Sequence, residues 1–587
     1  MLHFRRAVRH ALTGALVSLP GLAFGQAFDR IAPREPPAAP APAVTAPAET
    51  PASPASGAVV LAELRGLVFL PAMTELRANG VAAGGSPIAA DGLPLLNDSG
   101  FTAQIAPFIG RKLTFADLTE ITRLTTAWFR THGRPFVAVA VPPQNIGSGI
   151  VQVVASEYRL GSVTVAGNEW FSSALLQRQS GLVPGQTLTM DGLRDDLDWL
   201  NGNAFRGVTT EFQPGTAAGT TDVVLRTKDR LPFRAYAGFD NAGVPSLGRG
   251  EWNVGGNWGN AFGADQTLSY QYTRALSGRY DAHAVSWSVP LPWRDTLLVF
   301  GSFANQSPVT GSVFSEKGTS GQASFRYTHP LSRIGFGPGM ELTHSVQVGY
   351  DYKTSNNNLE FGGTQVFASN AAVSQFPLIY DAHLTDPYGQ TTVQNQFVVS
   401  PGGMMGANNT AAFQAVVAGS SADYVYDRIG LTRVTALPIG GLKDISWTMR
   451  AAGQVASRNL LYSEQLGAGG IDSVRGYFTD TALGSQGILI SQEIRGPAFG
   501  LTKLLHVGGD VGDTDQIGVF WDYGHVSQVR PAPNLINAAD LSSVGIDLHV
   551  TVDRYVDLRF DIGWQLRDVP GTNRRGAFGD IAVIVGF

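Results

Sequence analysis

From residue 230 to the end of the chain, apolar and polar positions alternate one by one. In the clearest run Val556, Leu558, Phe560, Ile562, Trp564 and Leu566 are apolar, with Asp557, Arg559, Asp561, Gly563 and Gln565 between them. Val544, Ile546, Leu548 and Val550 alternate with Gly545, Asp547 and His549 in the same way. So do Val346, Val348, Tyr350 and Tyr352 with Gln347, Gly349, Asp351 and Lys353, and Leu268, Tyr270 and Tyr272 with Ser269, Gln271 and Thr273. A period of two means strands with one greasy and one wet face. A soluble sandwich gives the pattern too, its greasy face turned inward. Three features favour a barrel in lipid instead. The runs reach about ten residues, enough to cross a bilayer at a tilt. Aromatics (Tyr270, Tyr272, Tyr424, Tyr426, Trp564) gather near strand ends, and short turns alternate with long polar stretches such as Ser355 to Gly363 and Ser400 to Asn409. Lipid cannot satisfy an open sheet edge, so the sheet must close on itself. The 358 residues from 230 to 587 allow roughly 16 antiparallel strands. The last of them ends on an aromatic, Phe587.

Ahead of this region the period changes to a mixture of helix and strand. Val59 to Leu70 reads as strand, and Phe115 to Arg130 as a helix with Leu118, Ile121, Thr125 and Trp128 at helical spacing. Thr114 offers its N-cap, with Asp117 three residues on. His132-Gly133 ends the helix and Phe136 to Val141 resumes as strand. A second unit starts at Tyr158. It reads as a strand Ser162–Ala166, helices Ser172–Gln179 and Met190–Asn201, and strands Val208–Phe212 and Asp222–Thr227 around the turn residues Pro214 to Thr220. The pattern predicts two small α+β domains, 58–157 and 158–229, before a barrel at 230–587.

The first residues read as an export signal. Arg5, Arg6 and Arg9 precede an apolar stretch, Ala11 to Phe24, too short to span a bilayer, and Ala23-Phe24-Gly25 supplies small residues for cleavage before Gln26. The expected divisions are a signal peptide over 1–25 and a Pro/Ala-rich tether over 26–57, whose dense prolines block both helix and sheet.

Composition narrows the class further. Charged residues make up 15% of the 587, against roughly 25% in a soluble domain. Hydrophobic residues reach 44%, yet no later run approaches the ~18 apolar residues of a spanning helix. A helical membrane protein and a disordered chain are both excluded. The net charge of −5 argues against a nucleic-acid binder, and the absence of cysteine removes disulfides, thiolate metal sites and Cys nucleophiles.

Catalytic signatures are missing: there is no G-x-S-x-G elbow, no H-E-x-x-H and no phosphate-cradling loop, and the ten His are scattered without ligand spacing. No catalytic residue, metal site or cofactor is expected. Two late segments stand out. Gly469-Gly470-Ile471-Asp472-Ser473-Val474-Arg475-Gly476-Tyr477 lies in a long connection, and Gly476 permits a sharp turn beside Arg475. In Val519-Phe520-Trp521-Asp522-Tyr523-Gly524 the alternation sends Ile517, Val519, Trp521 and Tyr523 to lipid and Gly518, Phe520, Asp522 and Gly524 to the lumen. A lumenal carboxylate wants a cation, and a guanidinium fits it in bidentate fashion. By spacing alone, Arg475 fits a solvated surface loop at least as well.

The whole mature chain resembles the outer-membrane transporters of two-partner secretion, the hemolysin-activator and filamentous-hemagglutinin transporter family, within the Omp85 superfamily. Val474-Arg475-Gly476-Tyr477 is similar to the superfamily's V-R-G-Y loop motif, and Phe520-Trp521-Asp522 to its F-x-D strand motif. Pro142-Pro143-Gln144, followed by Gly149 and a strand, is similar to the P-P-Q segment of the first periplasmic POTRA domain. The resemblance implies a transmembrane antiparallel β-barrel of 16 strands behind two POTRA domains, with a lumenal loop held by the Arg475–Asp522 pair. It also implies a pore, not an enzyme, in the bacterial outer membrane. The POTRA domains would recognise a large partner protein, unfolded in the periplasm, that the pore passes outward; Phe587 would be the C-terminal signal read by the barrel assembly machinery. Outer-membrane lipids surround it, nucleic acid plays no part, and a monomer is expected. The alternative within Omp85 is an assembly factor inserting other outer-membrane proteins. One departure stands: some members carry an N-terminal plug helix, whereas the Pro/Ala-rich region before Ala58 shows no helical pattern of useful length.

Overall fold

The computed structural model describes residues 27–37, 56–82, 85–309, 314–337, 339–361, 364–437, 444–501, 512–533, 535–569 and 575–587. Residues 1–25, read as an export signal, lie outside them, as does most of the Pro/Ala-rich stretch. The described residues form two compact units, one of 56–231 and the other joining 27–37 to 232–587.

The smaller unit holds two α+β domains, each with its own core. In the first, the sheet order is Ile88–Ala89, Gly66–Leu70, Ile150–Glu157, Val137–Ala140. Leu67, Phe69, Val151 and Val153 from the sheet meet Phe101, Ile121 and Phe129 from two helices, Ser99–Ile105 and Phe115–Thr131. The expected strand over 59–70 divides. Val59–Leu61 pairs with Leu113–Thr114, while Leu64 drops into the core with its carbonyl accepting from Gly110 N–H, and Gly66–Leu70 enters the sheet. The second domain orders its strands Arg159–Ala166, Thr220–Asp229, Arg206–Pro214. Helices Ser173–Gln179 and Met190–Leu200 bury Leu176, Leu197 and Leu200 against Val223 and Leu225.

Thr114 and Asp117 form a reciprocal cap on helix Phe115–Thr131. Asp117 N–H donates to Thr114 Oγ1 (3.1 Å) and Thr114 N–H donates to Asp117 Oδ2 (2.9 Å). The Thr114 hydroxyl, with that N–H and Arg111, holds the Asp117 carboxyl below the usual carboxylate range. A depressed folded-state value stabilises above the ordinary carboxylate pKa, and the gain disappears as pH falls through the depressed one. Thr114→Ala is expected to destabilise this domain by about 1 kcal/mol, a Tm loss of a few degrees. Thermal melts of the two α+β domains at neutral pH and near pH 3 should show the wild-type advantage narrowing in acid.

Residues 232–587 form a closed barrel of sixteen antiparallel strands. They are β1 Phe233–Asp240, β2 Glu251–Ala261, β3 Gln266–Ala275, β4 Tyr280–Pro290, β5 Thr296–Gln306, β6 Phe314–Pro330, β7 Met340–Phe361 and β8 Thr364–Asp386. Then follow β9 Gly389–Pro401, β10 Asp423–Ala436, β11 Ser446–Ala456, β12 Gln486–Arg495, β13 Asp513–Ser527, β14 Ala538–Val552, β15 Val556–Gln565 and β16 Ala577–Gly586. An even number lets an up-and-down sheet close antiparallel, and β16 pairs β1 from Gly586↔Tyr236 to Ala582↔Asp240. The alternation is clearest along β13. Ile517, Val519 and Trp521 point out and are exposed, while Phe520 and Asp522 point in and are buried. Val348, Phe397, Ile429, Ile546 and Trp564 join the same outward apolar band, which in water would be an aggregation surface and in lipid is solvated.

Several features depart from the sequence reading. Ser355 to Gly363, read as a polar connection, continues β7 as strand up to Phe361, because its polar residues pair with β6 and β8. Tyr424 and Tyr426, read as interfacial aromatics, are buried on the inner face, where their hydroxyls donate to Gln375 and Glu464. The connection between β9 and β10 follows its polar stretch Ser400 to Asn409 with a helix the sequence analysis did not identify, Thr410–Val416, capped by the Asn409 side chain. Its Phe413 packs with Val373, Val398, Tyr424 and Tyr426 of the wall. More consequential is the start of the expected tether. Ala27–Ile31 is helical, and Phe28 and Ile31 are buried against Ala282, Ala284 and Ala304, small side chains that make room for it. The Phe28 ring lies 4.6 Å from that of Phe300, tilted by 41°. The following residues have no secondary-structure bonds of their own and are held by the wall instead. Tyr236 OH accepts from Arg34 N–H (2.8 Å), Asn257 Nδ2 donates to Arg34 C=O (3.0 Å), and Gln271 Nε2 donates to Ile31 C=O (3.2 Å). Arg30 sits 3.4 Å from Glu251. One turn with prolines after it has no periodicity to read, so its helix comes from tertiary contacts.

Candidate lumenal site

The connection from β11 to β12, residues 457–485, folds into the barrel. It is a small hairpin in its own right: Leu466–Ala468 pairs with Ala482–Gly484. Its tip carries Val474, Arg475, Gly476 and Tyr477, all buried.

Arg475 is 2% exposed and every face of its guanidinium is occupied. Nε donates to Asp522 Oδ2 (2.8 Å) and Nη2 to Oδ1 (3.0 Å), the two-pronged contact that a planar guanidinium makes with a carboxylate. The Arg475 backbone N–H reaches the same carboxylate at 3.0 Å. Nη1 donates to Glu493 on β12 (2.7 Å) and lies 3.4 Å from Asp561 on β15, and Nη2 reaches Ser491 Oγ (3.2 Å). Phe520 is the floor: its ring centre lies 3.5 Å from the Arg475 guanidinium carbon. One buried cation thus answers carboxylates from three strands, while Arg495 and Arg559 bond Glu493 and Asp561 from the side.

The neighbouring residues fit the tip to the wall. Gly476 has φ +84°, which other residues rarely adopt, and its carbonyl accepts from Gln565 Nε2 (2.7 Å). A Cβ on Gly563 of β15 would come within 2.7 Å of Gly476 Cα, and one on Gly545 within 2.2 Å of the Phe520 ring. These two glycines are therefore the space into which the loop and its floor fit. Tyr477 is buried, its hydroxyl within reach of the Ser542 and Arg567 carbonyls, and Val474 packs in a cluster with Leu489, Val526 and Leu541.

The other singled-out residues lie elsewhere. Pro142, Pro143 and Gln144 belong to the first α+β domain. There the Gln144 side chain bonds both the N–H and the C=O of Gln152 (2.7 Å each), fastening the proline turn to strand Ile150–Glu157. Phe587 is exposed beyond the end of β16, its backbone bonded to Ala235. The sequence reading named Asp522 alone as the partner of Arg475. Glu493, Ser491 and Asp561 escaped it, although Leu489, Ser491 and Glu493 alternate inward just as Phe520 and Asp522 do.

A lipid-facing sixteen-strand barrel, preceded in the chain by two small α+β domains and holding an arginine-tipped loop in its lumen, is an outer-membrane transporter. Residues 219–547, more than half of the chain, match the family model of the haemolysin secretion/activation proteins ShlB/FhaC/HecB, and the chain belongs to that family. Residues 86–157 match the POTRA domain of ShlB type. The outer membrane transporter CdiB of Dickeya dadantii (strain 3937) is 24% identical over 477 residues, covering 80% of this chain and 81% of that one. The heme/hemopexin transporter protein HuxB of Haemophilus influenzae (strain 86-028NP) is 21% identical over 458 residues, covering 75% and 76%. Among solved structures, CdiB from Escherichia coli shares the fold with a TM-score of 0.70 at 18% identity, over 92% of this chain and 93% of that one. CdiB from Acinetobacter baumannii follows at 0.62 and 15%, over 93% and 95%.

Proposed function

We propose that this chain exports a large partner protein across the outer membrane, taking it in extended form from its POTRA domains and gating its passage with the Arg475 loop. The observation that carries the reading is the state of the lumen. A folded loop pinned through one arginine to three carboxylates, with the helix Ala27–Ile31 against another part of the wall, obstructs a pore that has to open in use. Recognition falls to the sheet edges of the POTRA domains. Val137–Ala140 and Arg206–Pro214 are edge strands, and such an edge accepts an extended peptide through backbone bonds while pockets choose side chains. The partner folds after emerging, which favours outward movement with no nucleotide. The Arg475–Asp522 contact is the lock: charge-assisted bonds, each worth ~1.5–3 kcal/mol net, hold it shut yet lie within reach of what partner binding can offset. The chain works as a monomer, placed in the membrane by the barrel assembly machinery.

Deleting the gene and comparing culture medium with outer membranes by mass spectrometry tests the reading. One or two large proteins should vanish from the medium while the set of membrane barrels stays unchanged. Broad depletion of outer-membrane barrels would make the chain an assembly factor instead.

A further inference from the structure

The lumenal loop is fastened twice, and the second fastening is as buried as the first. Glu464 ends a one-turn helix, Tyr462–Glu464, eleven residues before Arg475, and is 0% exposed. Its carboxylate accepts from Lys353 Nζ on β7 (2.8 Å), Gln375 Nε2 on β8 (2.9 Å) and Tyr426 OH on β10 (3.0 Å). Its backbone carbonyl accepts from Arg428 Nη2 (2.9 Å) and Gln454 Nε2 (3.1 Å). The two contacts differ in sign and in place: a loop cation against β12, β13 and β15, and a loop anion against β7, β8 and β10. Apolar burial reinforces the second. Leu460 and Leu461 pack with Phe413, Val417 and Tyr424. The returning leg is held at the same level, where Ser485 Oγ accepts from Leu460 N–H (2.9 Å) and Ser485 C=O accepts from Gln454 Nε2 (3.0 Å). Between the feet and the tip lie Gly469 and Gly470, both at positive φ (+110° and +103°), where the backbone changes course.

We propose that Glu464 is the pivot of the gate: residues 460–465 stay on the barrel wall while the hairpin carrying Arg475 swings away from β12, β13 and β15. The inference rests on the reading of Arg475 as a releasable lock. Its physical ground is the difference in what each end would leave behind. Releasing the tip exposes a guanidinium and carboxylates to a lumen that water and a passing chain can fill. Releasing the foot would also strip Leu460 and Leu461 from their cluster and leave Lys353 facing no carboxylate of the loop, a larger loss with nothing to offset it. A fixed foot also returns Arg475 to the same carboxylates after each passage. Glu464 is a positioning residue, acting through the loop it holds.

The chain has no cysteine, so single introduced thiols report cleanly. Val474→Cys marks the tip and Leu461→Cys the foot, both buried at rest. Labelling by a membrane-impermeant maleimide on intact cells is compared at equal amounts of heat-modifiable barrel. In the Arg475→Ala background the tip thiol should label severalfold faster and the foot thiol at its parent rate. In the Glu464→Gln background, which keeps shape and removes charge, both should label faster. Should that variant fail to accumulate, Glu464→Gln with Lys353→Met also removes the ammonium that Glu464 faced and reads the same way. A foot thiol freed by Arg475→Ala would mean the connection leaves as one body and would overturn the pivot with the lock intact. A foot thiol unmoved by loss of the Glu464 charge would overturn it as well. A tip thiol still shielded after Arg475→Ala would instead refute the lock, and the Glu464 variants would decide the pivot alone.

Discussion

Arg475→Ala is expected to reach the outer membrane in normal amount, to keep the heat-modifiable mobility of a closed barrel, and to export its partner at about a tenth of the wild-type rate or less. The barrel ladder does not involve the arginine: β12, β13, β14 and β15 pair through their backbones, so strand closure survives. The docked loop does not. Removing one side of a buried ion pair costs about 3–5 kcal/mol because the other side is left uncompensated, and here Asp522, Glu493 and Asp561 lose their shared cation together. At about 1.4 kcal/mol per factor of ten, the docked population falls by at least a hundredfold. Resting conductance in planar bilayers should rise, and export should fall because the loop no longer has a defined seat to leave and return to. Arg475→Lys is expected to fall between. An ammonium has three protons at one point and cannot reach Asp522, Glu493 and Ser491 at once, as the forked guanidinium does. Export at the wild-type level by Arg475→Ala would refute the lock.

Much of this architecture is legible in the sequence because the bilayer enforces a simple code. A strand with lipid on one side and water on the other must alternate. That is why Ile517 to Gly524 could be assigned face by face, with Phe520 and Asp522 inside. The α+β domains were readable where periodicity was long, as in Phe115–Thr131 with its Thr114 cap, and less so where it was short, as in Ser99–Ile105. The helix Ala27–Ile31 was not readable, since five residues carry no periodicity and its stabilising partners, Ala282, Ala284 and Ala304, lie some 250 residues further on. The same holds for the rest of the lumenal site. Glu493, Asp561 and Glu464 look like ordinary polar positions until the barrel closes. Register then sets Ser491 opposite Asp522, and Glu493 opposite Phe520, on neighbouring strands. The two motifs could name one pair; the other two carboxylates around it are a consequence of closure.

Gly563→Val should open the pore without removing a single charge, and that separates the seating of the loop from its ion pair. Gly563 lies in β15 at ordinary strand angles, opposite Gly545 and Phe578, and valine favours strands, so the barrel has no reason to reject it. The loop does. Gly476 lies so close that a Cβ on Gly563 would stand 2.7 Å from its Cα and backbone N. Neither atom is the far end of a flexible side chain, so the tip as a whole must rise. Raising it draws Arg475 from Asp522, where bonds of 2.8 and 3.0 Å leave little slack, and takes the Gly476 carbonyl from Gln565. Overpacking a close contact typically costs about 1–3 kcal/mol, so the docked population should drop by roughly five- to a hundredfold or more. Resting conductance should rise towards that of Arg475→Ala, with normal amounts of folded barrel. Gly579→Ala on the adjoining strand is the control: the nearest atom its Cβ would meet is 3.5 Å away, an ordinary contact, and conductance should stay at the wild-type level. If Gly563→Val stays as closed as wild type, the loop tip is not seated on β15 in the membrane. If both glycine variants open, the wall itself is being disturbed and the effect does not belong to the loop.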